Sequence, residues 1–165
     1  MAGPNDDIIA VLNDLIETCE DGANGFSTAA EAITDPEAKL LLQSRLAQIL
    51  NAESQLRAAV RELGGTPADH GHASASLHRG WINLMSVITR GNDEVILDEV
   101  VRGEETAAKG YRDALKRPLP PAIKLLVGAQ ARGVEENLER VKWRRSMLSA
   151  RTPSRRPPPE SRPSP

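Results

Sequence analysis

A chain of 165 residues with a formal net charge of −2 and 39% apolar residues has room for one packed domain. Its single cysteine, Cys19, excludes an intramolecular disulfide, and a body that is mildly acidic once its basic C-terminal segment is set aside argues against nucleic acid as a main partner. No apolar run approaches the ~20 residues that cross a bilayer, and the start MAGPNDDII lacks the pattern of a secretory signal, so a cytoplasmic protein is expected.

The first helix is expected from about Asp6 to Ile33. Asn5 or Asp6 can cap it, and Ile8, Leu12, Leu15, Cys19, Gly22, Phe26, Ala29 and Ile33 form one apolar face at 4-3-4-3 spacing. Gly22 and Gly25 lower helix propensity, each by about 1 kcal/mol relative to alanine, and suggest close approach by another helix. Thr34-Asp35-Pro36 breaks the chain and supplies a cap and a first-turn proline for a second helix ending near Leu63. Gly64-Gly65-Thr66-Pro67 stops it. Two helices of ~40 Å with almost no linker must form an antiparallel hairpin.

Residues 66–91 begin polar and become a shorter helix with Leu77, Trp81, Leu84 and Ile88 on its apolar line. This segment can cover the bundle or pair with a second subunit, which leaves homo-oligomerisation open. A third long helix is expected from about Asp93 to Lys116. A proline-rich break follows, then a fourth to about Met147 with Ile123, Val127, Gln130, Val134, Leu138 and Val141 inward. Its basic end (Arg140, Lys142, Arg144, Arg145) suits the helix dipole. Residues 149–165, with six prolines and four arginines, read as a disordered tail of charge +3, which leaves the body at −5. The expected organisation is a domain over 1–148 and a tail over 149–165. The fold class is all-α: two hairpins joined by a long crossover, the ferritin-like four-helix arrangement.

Two carboxylates interrupt the apolar faces. Glu53 falls on the line Leu42, Leu46, Ile49, Leu56, Val60, and Glu104 on the line Leu97, Val100, Ala107, Tyr111, Ala114. A buried carboxylate requires a cation, a proton or a metal. Glu20, at the margin of the first helix's face, joins them as a candidate metal ligand, with iron or manganese as the ions such oxygen donors accept. Gln130 and Asn137 border the same layer. The di-metal template also asks for Glu-x-x-His, but position i+3 from Glu53 is Leu56 and no long helix contains histidine. His70, His72 and His78 all lie in the crossover. Arg45 and Arg57 flank the second helix's stripe and can neutralise Glu53 or Glu104.

The segments LNDLIETCEDGANGF (Leu12–Phe26), LGGTP (Leu63–Pro67), LHRGW (Leu77–Trp81) and RGEE (Arg102–Glu105) together resemble bacterial ferritin-like four-helix-bundle proteins of unknown function, several of them regarded as stress-associated. The resemblance covers about residues 8–148. It implies a ferritin-like bundle and singles out Glu20, Arg79, Trp81 and Glu104, without implying an activity. The leading expectation is therefore a non-enzymatic bundle whose polar layer around Glu53 and Glu104 is structural or holds a metal weakly. The alternatives are a metal-dependent oxidase or storage protein using Glu20, Glu53 and Glu104, and an adapter whose basic proline-rich tail binds a protein partner.

Overall fold

The computed structural model describes residues 2–69, 81, 83–89 and 91–151. Among these residues all regular structure is helical: α1 (Asp6–Ala32), α2 (Pro36–Glu62), α3 (Leu84–Ile88), α4 (Asp93–Leu115) and α5 (Pro121–Arg151). α2 starts and stops, and α4 starts, where local signals place them. Pro36 opens α2 behind Asp35, whose Oδ2 accepts from Ala38 N at 2.8 Å. Gly64 closes α2 at φ +85°, with Gly64 N donating to Arg61 O and Gly65 N to Val60 O, the paired bonds of a glycine-terminated helix. Asn92 caps α4 through Glu94 N at 2.9 Å.

Three details differ from expectation. Neither Asn5 nor Asp6 caps α1: Asn5 donates instead to Leu63 O, and Asp6 accepts from Gly3 N, so Asn5 ties the start of α1 to the end of α2. α5 runs past Met147 to Arg151, into the segment expected to be tail; residues 152–165 lie outside the described residues. Of the crossover line, only Leu84–Ile88 is helical, with Leu84 and Val87 buried, and Trp81 sits in a turn ahead of it. Leu77, Arg79 and the three histidines lie outside the described residues.

α1 packs on α2 and α4 on α5 as two antiparallel hairpins, and α1 lies along α4. The α2–α5 seam is the sparsest side of the bundle. In this order α2 and α4 stand diagonally opposite. The core is aliphatic (Leu12, Leu42, Leu56, Leu97, Val100, Val127 and their neighbours), with Phe26 and Tyr111 as its buried aromatics. Each fully buried Leu, Ile or Phe contributes about 1.5–3 kcal/mol, which lets the bundle carry several buried charges.

One end of the bundle is bound by a clamp. Asp93 at the start of α4 accepts from Thr34 N, Thr34 Oγ1 and Asp35 N at 2.7–2.9 Å. Asp35 in turn receives Arg144 of α5 bidentately at 2.8 and 2.7 Å, and Arg144 also pairs with Glu37. Arg144 is only 4% exposed. The basic end of α5 therefore faces acids of the other helices: Arg145 holds Asp98, and Lys142 lies 3.7 Å from Glu105.

Candidate functional site

All three candidate carboxylates are buried, and each meets a guanidinium. At one level Arg57 of α2 donates Nε to Glu53 Oε1 at 2.8 Å, one turn back on its own helix, and Nη2 to Glu20 Oε1 of α1 at 2.6 Å. Its remaining Nη1 donates to Ala68 O at 2.7 Å. Ala68 N donates to Asn13 Oδ1, and Asn13 Nδ2 to Thr66 O. The first residues of the crossover are thus strapped to α1 and α2 by the same cluster.

At the other level Arg45 of α2 reaches diagonally to α4, placing Nε 2.9 Å and Nη2 2.8 Å from Glu104 Oε1. Glu53 is eight residues beyond Arg45, about 12 Å along the helix axis. The carboxylates expected to share one layer consequently stand at two heights, Glu20 with Glu53 and Glu104 apart. Among the described residues no three His, Cys, Asp or Glu side chains gather closely enough to hold a metal ion.

Glu104 is 1% exposed. Burial pushes its pKa up to about 7 against the pull of Arg45 and, more weakly, of Asn137. Asn137 lowers that pKa as a weak side-chain donor to Glu104, although its buried Nδ2 makes no hydrogen bond of good geometry. Beside this pair a neutral chain runs through all four long helices. Gln130 Nε2 of α5 donates to Ala52 O and Gln55 Oε1 of α2, which fixes its Oε1 as the acceptor for Tyr111 Oη of α4 at 2.9 Å. With its one proton committed, the Tyr111 oxygen is left to accept from the Cys19 thiol of α1 at 3.6 Å. Burial pushes the Cys19 thiol up to about 12 and the Tyr111 phenol up as well, so both stay protonated in this chain.

Trp81 closes one side of this level. A Cβ built on Gly25 of α1 would lie 2.3 Å from Trp81 Cδ2, and one on Gly103 of α4 would lie 2.3 Å from Cε2. The indole therefore occupies a slot that exists because both helices carry glycine there, with Phe26 edge-on at 5.3 Å. Gly25 admits a side chain of the crossover, where the expectation was another helix; Gly22 does meet a helix, through Ile49 of α2 at 3.4 Å.

Sequence reasoning found Glu20, Glu53, Glu104, Gln130, Asn137 and both arginines. It missed Glu99, 4% exposed and paired with Arg102 at 2.8 Å, and the role of Gly103. A second glycine on an inward face could have signalled the Trp81 slot; nothing local marks Asn13 or Ala68 as the strap. The family described as "Domain of unknown function (DUF2383)" matches residues 7–117, more than half of the chain. No curated protein matches it.

Proposed function

The chain belongs to the DUF2383 family, and we propose that it is a non-enzymatic bundle of ferritin-like plan in which arginines hold the buried carboxylates that a metal centre would use. One observation carries this reading: Glu20, Glu53 and Glu104 each have a guanidinium nitrogen at 2.6–2.9 Å. Iron or manganese at these carboxylates would have to expel Arg45 and Arg57, leaving two largely buried cations without counter-charge, at roughly 3–5 kcal/mol each. The donor set thus suits guanidinium and does not fit a di-metal centre. Arg57 supports the same view, because its third contact anchors the crossover and gives its cluster a structural task.

The ferritin-like plan is supported by two hairpins of long helices and the long connection from α2 to α4. A stress-associated role is what the sequence resemblance supports, and the Pro/Arg-rich segment after the bundle is the candidate segment for binding a protein partner. Elemental analysis of the purified full chain for iron, manganese and zinc tests the central reading. Substoichiometric metal, unchanged in a Glu53→Gln/Glu104→Gln variant, is expected. Near-stoichiometric metal that the double variant loses would instead establish the oxidase or storage reading.

A further inference from the structure

The level of Arg45 and Glu104 is hollow. Gly22, Ala52, Ala107 and Gly133, one from each long helix, border a cavity of about 230 Å³ that opens toward solvent. Small residues thus meet from all four helices at once, with Ile49 against Gly22 and the Arg45 guanidinium against Gly133 taking part of the space they leave. Ile49, Ala52, Ala107 and the Trp81 indole give the cavity an apolar wall. Its charges nearly cancel: Arg45 and Glu104 hold each other, Glu136 and Arg140 stand on the exposed side with opposite signs, and Asp21, 7% exposed, adds one further acid. Asn137, 4% exposed, lines the same space, and its buried Nδ2, drawn only weakly to Glu104, makes no well-formed hydrogen bond. A buried donor in that state is a position for an incoming acceptor.

We infer that this cavity is a binding site for a small uncharged organic molecule, an apolar ring or short chain bearing one carbonyl or hydroxyl acceptor that meets Asn137 Nδ2. Size agrees with this class. A benzene ring is accommodated by an apolar cavity of about 150 Å³, so the volume here takes one ring with a small polar substituent and falls short of a typical drug-sized or nucleotide pocket. Water can satisfy Asn137 but gains nothing from the Trp81, Ile49 and alanine wall. The inference goes beyond the proposed function and rests on it in one respect. If Glu104 were given to a metal, Arg45 would be unbalanced and the cavity would prefer an anion.

Benzamide is the probe, with benzoate and benzylamine as its charged counterparts. They are titrated at pH 8 into the full chain carrying Trp143→Phe, which leaves Trp81 as the single indole; Trp143 is 62% exposed, so the substitution should leave the fold intact. A saturable change in Trp81 emission is expected with benzamide and at least about tenfold weaker binding of either charged analogue. Asn137→Leu, which keeps size and removes the donor, should weaken benzamide about tenfold. Gly133→Leu, which fills the cavity, should abolish the response. If that variant does not fold, Ala107→Leu takes its place. No saturable response to benzamide, undiminished binding in the filled variant, or preference for benzoate or benzylamine would overturn the inference. Metal analysis of the same preparation separates a failure of the ligand site from a failure of the arginine-held layer.

Discussion

Glu104 is held between two opposed effects, burial and the Arg45 guanidinium, and burial is the larger. Its folded pKa of about 7 lies above the ordinary 4.5, so between those values the folded state binds more protons than the unfolded one. This group's contribution therefore weakens as pH rises through that window, by up to roughly 3 kcal/mol at about 1.4 kcal/mol per unit. Asp35 acts oppositely and lower. Arg144 and the Ala38 amide hold its pKa down, so its contribution is lost as pH falls below its ordinary 3.8. Urea unfolding of wild type and Glu104→Gln at pH 5 and pH 8 should show the variant gaining on wild type at the higher pH; a loss would mean that the Arg45 attraction dominates. The helical glycines divide in the same residue-by-residue way. Gly103→Ala brings a methyl group against Trp81 and should cost about 1–3 kcal/mol despite the better helix propensity. Gly110→Ala meets only Thr18 Oγ1 at 3.8 Å and should stabilise by about 0.5–1 kcal/mol. Thermal unfolding of the pair reads both signs.

Among the helices, what could be read in the sequence follows distance along the chain. The apolar stripes, the Asp35-Pro36 start and the Gly64-Gly65 stop are signals within a few residues of their effect, and each marks a helix or boundary found in the structure. Partners across the bundle are invisible to such signals. Asp35 and Arg144 are 109 positions apart, and Arg45 and Glu104 are 59 apart. Which arginine reaches which carboxylate is decided by helix order and by height along α2. The same reasoning explains why Glu53 and Glu104 looked like members of one layer: both lie toward the middle of a long helix, but Glu53 is 17 residues from the clamped end of α2 (53 − 36) and Glu104 only 11 from that of α4 (104 − 93). The clamp should be costly to break. Asp35→Ala removes the α2 cap and strands the buried Arg144, and a loss of about 3 kcal/mol or more is expected in urea unfolding. Asp113→Ala, whose Lys109 and Lys116 partners are exposed, should change stability by less than about 1 kcal/mol.

Across the whole molecule, stability should be graded. α1 lies against α2, α3 and α4 and buries twelve residues, whereas α3 is five residues long and buries two. Amide hydrogen exchange should accordingly be slowest in the middle of α1 and fastest, among the helices, in α3, with the thin α2–α5 seam opening before the α1–α2 hairpin. Equal protection of α3 and α1 would refute this ranking. The Trp81 slot adds a consequence in time. Its two walls, Gly25 and Gly103, belong to different hairpins, so neither hairpin alone contains the slot. Local helix pairing can proceed within each half of the chain, but the indole has nowhere to go until α1 and α4 have met. In a stopped-flow refolding experiment the Trp81 signal should thus lag the far-ultraviolet helical signal, marking the moment at which two separately assembled halves become one cooperative unit.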